Sequence, residues 1–87
     1  MTSRTTAEFR EAFAVLPPHV QRQARGAYRR FQENPQHPSL HFKRVHDRDP
    51  IYSVRIGLHY RAVGIVDGDF ITWFWFGSHA DYDSLLA

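Results

Sequence analysis

Apolar residues recur at Phe9, Ala12, Phe13 and Leu16, the i, i+3, i+4, i+7 spacing of one helical face, and Thr5 with Glu8 has capping-box spacing ahead of them. Pro17 and Pro18 end that helix, and Pro18 suits the first turn of a second one whose apolar positions are Val20, Ala24, Ala27, Tyr28 and Phe31. Asn34-Pro35 closes it, and the stretch to Ser39, with two prolines and no periodicity, reads as a surface loop too short to link domains. Beyond residue 40 the period becomes strand-like. Leu40 to Val45 reads as a strand ended by Asp47-Arg48-Asp49-Pro50, and Ile51 to Ile56, Tyr60 to Val66 and Phe70 to Phe76 follow as three more. Gly57-Leu58 and Asp67-Gly68 separate them, the latter a strong hairpin signal. The pattern predicts an α+β fold: two N-terminal helices packed on an antiparallel sheet of about four strands, with a short C-terminal helix, as a single domain over residues 1–87.

The register of the first hairpin follows from its alternation. With a three-residue loop, Gly57-Leu58-His59, the residues Tyr52, Val54, Ile56, Tyr60, Ala62 and Val66 share one largely apolar face. Arg55 and Arg61 then sit opposite each other on the other face. Like charges directly across a ladder destabilise it by roughly 0.2–1 kcal/mol, so the pair needs separate partners or a function that uses both. A two-residue loop would split the arginines but pair Val54 with Arg61 and mix the apolar set.

Composition narrows the class. One core is all that 87 residues can build, and seven Phe, four Tyr and two Trp supply large buried area without disulfides. With no cysteine there is no thiol nucleophile and no Cys-based zinc site. No apolar run approaches the ~18 residues of a membrane span, and Met1 to Thr6 lacks the apolar segment of a signal peptide, which predicts an unprocessed cytoplasmic protein. Charge is uneven: residues 1–48 hold nine Arg/Lys and four Asp/Glu, a net of +5, and residues 49–87 hold two and five, a net of −3. Ten of the eleven basic residues are Arg, which contacts phosphates bidentately, so nucleic acid or an acidic protein is the expected partner. Arg22, Arg25 and Arg29 form a stripe on the second helix that either faces solvent or tracks a phosphate backbone.

The last segment carries candidate chemistry. Trp73-Phe74-Trp75-Phe76 is apolar on both faces, as a central strand should be, and runs into Gly77-Ser78-His79-Ala80-Asp81-Tyr82. Ser78 and Asp81 have capping-box spacing, which places His79 and Tyr82 on one side of a short helical turn. Six histidines raise the question of a metal, but they lack conventional ligand spacing and Pro38 spoils His37 and His41 as a helical pair; no metal is expected. Neither a Gly-rich phosphate loop nor a Ser-His-Asp arrangement is present.

The run Tyr52-Ser53-Val54-Arg55-Ile56-Gly57-Leu58-His59-Tyr60-Arg61 resembles the strand–turn–strand segment of toxins of the RelE/ParE superfamily, and Gly77-Ser78-His79-Ala80-Asp81-Tyr82 resembles their closing G-x-H-x-x-Y segment. Leu16-Pro17 between the helices and Asn34-Pro35 before the sheet are similar in layout, so the likeness covers essentially all 87 residues and points to the RelE, HigB and YoeB branch. The resemblance implies the toxin of a type II toxin–antitoxin pair, a metal-independent and ribosome-dependent mRNA endoribonuclease with no cofactor, restrained by a cognate acidic antitoxin. Carried over, it makes Arg61 the phosphate-binding arginine and Arg55 its basic neighbour, with His79 as general acid or base and Tyr82 orienting or stacking a nucleotide. Lys43 and Arg44 join Arg55 and Arg61 as RNA contacts. Family nucleases often carry a Glu or Lys base on the second or third strand; here Lys43, His41 and His46 are the candidates. The superfamily also contains DNA gyrase inhibitors, and an inactive RNA-binding relative would share the same arginines.

Overall fold

The computed structural model describes residues 1–86. In chain order its elements are β1 (Thr2–Thr5), α1 (Ala7–Ala14), α2 (Pro18–Glu33), a 3-10 turn (Pro38–Leu40), β2 (Lys43–Arg44), β3 (Ile51–Ile56), β4 (Tyr60–Asp67), β5 (Phe70–Ser78) and α3 (His79–Leu86). They build one sheet in the order β1-β5-β4-β3-β2, antiparallel except where β1 runs parallel to β5.

The α+β architecture is as the pattern predicts, with five strands in place of about four. The extra strand is β1, whose polar sequence Thr2-Ser3-Arg4-Thr5 has no hydrophobic alternation to announce it. It forms because the outer edge of β5 offers unpaired backbone groups, from Thr2 opposite Phe70 to Thr5 opposite Trp73. That pairing also moves the start of α1. Thr5 is held in the sheet, so Thr6 is the N-cap and its hydroxyl accepts from the Phe9 amide at 3.1 Å. The expected strand from Leu40 to Val45 shrinks to two residues. Pro38–Leu40 forms the 3-10 turn, and His41 adopts a left-handed φ of 45°, which breaks the extended run.

The first hairpin has the three-residue loop, with Ile56 opposite Tyr60 and Arg55 opposite Arg61. The second turns on Gly68-Asp69, one residue later than the Asp67-Gly68 signal. Asp67 pairs with Phe70, and Gly68 at φ 58° takes the position of a primed turn that favours glycine. A bulge between Val63 and Gly64 puts Trp75 opposite the former and Trp73 opposite the latter, so Phe74 is skipped. Both Trp73 and Phe76 can therefore face the helices.

Alternation divides the sheet into two faces. Val54, Ile56, Ala62, Ile71, Trp73 and Phe76 form the core with Val20, Ala24, Ala27 and Phe31 of α2 and with Leu40. Phe31 stands edge-on to Phe42 and Trp73, with ring centroids 5.1 and 5.4 Å away. Phe9 and Phe13 of α1 meet Phe76 in the same manner. Each such ring contributes about 1.5–3 kcal/mol by burial, and aromatic pairs add about 0.5–1.5 kcal/mol. The opposite face carries Ser53, Arg55, Arg61, Val63 and Trp75, and among the described residues α3 is the helix that covers it. No helix among the described residues is long and apolar enough to cross a membrane.

Candidate functional site

The α3 face of the sheet is where chemistry collects. Cross-strand partners share a face, so the register puts Lys43, Ser53, Val63 and Trp75 in one row and Arg55, Arg61 and Gly77 in the next. Three local contacts lay α3 over these rows. The His79 amide donates to the His59 carbonyl at 2.8 Å, the Ser78 hydroxyl accepts from the Asp81 amide at 3.1 Å, and Tyr82 reaches down into the sheet. The Ser78 and Asp81 spacing is thus a working cap.

Arg61 is the centre of the arrangement. It is 8 % exposed, and its Nη1 is buried without a hydrogen-bond partner. Its Nε donates to His79 Nδ1 at 3.3 Å, and its guanidinium carbon lies 5.0 Å from the Tyr82 ring centroid. A guanidinium has five donors and no acceptor, so in this contact His79 Nδ1 is the acceptor. Nε2 in turn lies 3.7 Å from the Asp83 carboxylate. Among the described residues no carboxylate pairs with Arg61 itself, which leaves a buried cation open to an anionic ligand. Arg55, directly opposite, donates instead to the Gly57 carbonyl at 3.0 Å. The two like charges thus have separate partners.

Of the residues singled out from the sequence, Arg61, His79, Arg55 and Lys43 share this face. Tyr82 joins them differently from expected. It is 5 % exposed, its hydroxyl donates to Ser53 at 3.1 Å, and its ring packs against His79, Arg61 and Trp75. A ring enclosed in this way has no face for a nucleotide, so the stacking role does not fit. Arg44 also departs from expectation. It pairs with Tyr52 and so belongs to the helix side of the sheet, where its guanidinium donates to the carbonyls of His46 and Arg48. It braces the β2–β3 turn and is not grouped with Arg61. His46 serves that turn too, its Nδ1 accepting from the amides of Arg48 and Asp49, and His41 occupies the left-handed cap of the 3-10 turn. Neither belongs to the Arg61 cluster. Sequence reasoning passed over Ser53, whose signal is only a hydroxyl in an otherwise apolar strand.

On the other side of the sheet an apolar groove of about 590 Å³ opens between α1, α2 and β1. Its walls include Phe9, Phe13, Tyr28 and Trp73, and Arg4, Arg10 and Arg25 stand around it without a single carboxylate in the lining. Of the helix stripe Arg22, Arg25 and Arg29, all exposed, Arg25 is the member that lines this groove, with its guanidinium 5.3 Å from the Phe13 ring. Tyr28, expected in the core, is 42 % exposed here. Among the described residues no three His, Cys, Asp or Glu side chains are placed to hold a metal ion.

A family model described as the ParE-like toxin domain matches residues 18–84. The fold is similar to that of a chain in the RelB–RelE antitoxin–toxin complex of Methanococcus jannaschii, with a TM-score of 0.75 at 16 % identity over 97 % of this chain and 99 % of that one. YafQ of Escherichia coli gives 0.73 at 6 % identity over 92 % and 94 %, and the isolated E. coli RelE toxin 0.69 at 12 % over 97 % and 94 %. No curated protein matches the chain by sequence.

Proposed function

The chain belongs to the ParE-like toxin domain family, and on that premise we propose that it is the toxin of a toxin–antitoxin pair and cleaves messenger RNA on the ribosome, in the cytoplasm, without a metal. One observation carries the reading: a buried guanidinium with an unpartnered Nη1 lies in hydrogen-bond contact with an imidazole on a basic face. A phosphodiester supplies the missing anion. Arg61 donates to a non-bridging oxygen and stabilises the charge that grows on phosphorus, and Arg55 and Lys43 on the same face hold the flanking backbone.

His79 is the general base. Its Nδ1 lone pair, occupied by Arg61 at rest, is released as the guanidinium turns toward the phosphate, and then takes the proton of the adjacent 2′-hydroxyl. O2′ bonds to phosphorus, the P–O5′ bond breaks, and the departing 5′ oxygen takes a proton from solvent. Asp83, facing Nε2, stabilises the imidazolium so formed. Since two kinds of cation and one imidazole carry every charge in this sequence, no metal is required.

The partner is an antitoxin segment that is acidic and apolar by turns. Apolar walls ringed by Arg4, Arg10 and Arg25 suit an amphipathic segment whose carboxylates meet the rim and whose large side chains fill the groove. One of the similar folds was solved as an antitoxin–toxin complex, which favours such an occupant over a small molecule.

Induction in cells with transcript profiling tests the reading. Wild type should produce translation-linked cuts in mRNA that Arg61→Ala and His79→Ala each abolish. DNA-damage signalling without cuts would point instead to gyrase inhibition, and growth arrest retained by both variants would remove the site from the function.

A further inference from the structure

Resting on that reading of the cleft, we propose that Ser53 is a positioning residue: by holding the Tyr82 hydroxyl it fixes the ring on which both Arg61 and His79 are set. Ser53 and Arg61 are the two buried polar side chains among the described residues outside the aromatic set. The serine is fully buried at 0 % exposure, in a strand otherwise built of Ile51, Tyr52, Val54, Arg55 and Ile56, so hydrophobic burial does not account for it. Its side-chain partner is Tyr82, 29 residues further along the chain, at 3.1 Å.

Tyr82 is in turn the one buried residue of α3. Ala80, Asp81, Asp83, Ser84, Leu85 and Leu86 are all exposed, so the helix rests on this side chain and on the two bonds at its first turn. The ring lies nearly parallel to the His79 imidazole, at 6.0 Å and 23°, and beneath the Arg61 guanidinium at 5.0 Å. Trp75 closes a further side at 6.4 Å. Both groups that act on the phosphate therefore take their position from one aromatic ring, and the hydroxyl bond to Ser53 is what stops that ring from sliding or turning over the sheet. Without it the cation and the base keep their identities but lose their mutual geometry, and a misplacement of about 1 Å is enough to cost a large factor in rate. Ser53 touches neither RNA nor the reacting atoms; it acts through Tyr82.

The test uses Ser53→Ala, Tyr82→Phe, their double variant and Ser53→Thr, with two independent readouts. In steady-state cleavage on programmed ribosomes, Ser53→Ala and Tyr82→Phe should each lower kcat about tenfold, the ~1.4 kcal/mol equivalent of one buried hydrogen bond, with KM unchanged within about twofold. The double variant should be no slower than either single one, and Ser53→Thr should recover most of the rate. In the protein alone, NMR exchange of the Arg61 Nε–H and of the α3 amides should quicken about tenfold in the two single variants while the β4 amides stay protected. Unchanged exchange, additive losses of kcat, or a rise in KM alone would each overturn the proposal. If wild type cuts no RNA at all, the nuclease reading fails by itself, and the exchange measurement still decides whether Ser53 sets the cluster.

Discussion

Arg61→Met should make the protein more stable while removing its activity. The native guanidinium is 8 % exposed, and among the described residues it has one buried nitrogen without a partner and pairs with no carboxylate. An unsatisfied buried donor costs about 1–3 kcal/mol, and more when it is charged. Against this stand the bond to His79, about 1 kcal/mol net, and the contact with the Tyr82 ring, about 1 kcal/mol. Methionine keeps most of the aliphatic stem in place and drops the charge. If the cation costs about 3 kcal/mol and its contacts return about 2, the variant gains about 1 kcal/mol, or roughly 4–8 °C in Tm for a domain of this size. Calorimetry of both proteins in a phosphate-free buffer measures the difference. Inorganic phosphate or a short oligoribonucleotide added afterwards should raise the wild-type Tm and leave the variant where it was. A fall of several degrees in the variant would refute the reasoning, because Arg61 would then be holding the fold together and not waiting for an anion.

Other consequences are equally direct. Gly77→Ala places a Cβ 2.6 Å from the Trp75 ring, so that ring must move off Tyr82; a loss of about 1–3 kcal/mol in urea unfolding, with an altered Trp fluorescence maximum, is expected. Phe31→Ala empties the centre of the core and should cost about 3–5 kcal/mol, enough to unfold most of a marginally stable chain by circular dichroism at 37 °C. Arg25→Glu at the rim of the groove should weaken antitoxin binding at least tenfold in titration calorimetry and steepen the loss as salt is lowered, while RNA cleavage, which uses the other face, continues. With Mg²⁺ kept at the level ribosomes need, removal of transition-metal ions by a selective chelator should leave cleavage on programmed ribosomes unchanged, and a loss restored by one particular transition-metal ion would count against a purely side-chain mechanism.

The face that carries the candidate site was readable because β3 and β4 alternate cleanly. Placing Val54, Ile56 and Ala62 on the core side leaves Arg55 and Arg61 no choice but to meet on the other, and the structure pairs them directly. His79 was readable from its place at the start of a capped helical turn. What the chain alone does not reveal depends on partners distant in sequence. The strand β1 exists because β5 offers an edge, not because Thr2 to Thr5 prefers to be extended. Lys43 and Arg44 look equivalent until the register with β3 sends one to each face. The position of Tyr82 could not be read from its spacing to His79, since its burial is decided by Ser53, a residue on another strand. The groove, too, is a property of how α1 and α2 rest on the sheet, and nothing in the period of either helix marks Tyr28 as exposed.

The proposed cleavage requires the His79 imidazole to remove a proton from a 2′-hydroxyl beside a phosphate anchored by Arg61. The most direct measurement is the chemistry of the ends left on an mRNA cut by the purified protein on ribosomes, read by mass spectrometry, with a matched transcript carrying a single 2′-deoxy residue at the cut position. A 2′,3′-cyclic phosphate paired with a 5′-hydroxyl, and no cut in the 2′-deoxy transcript, is the expected result. A 3′-hydroxyl paired with a 5′-phosphate, or equal cutting of both transcripts, would contradict it.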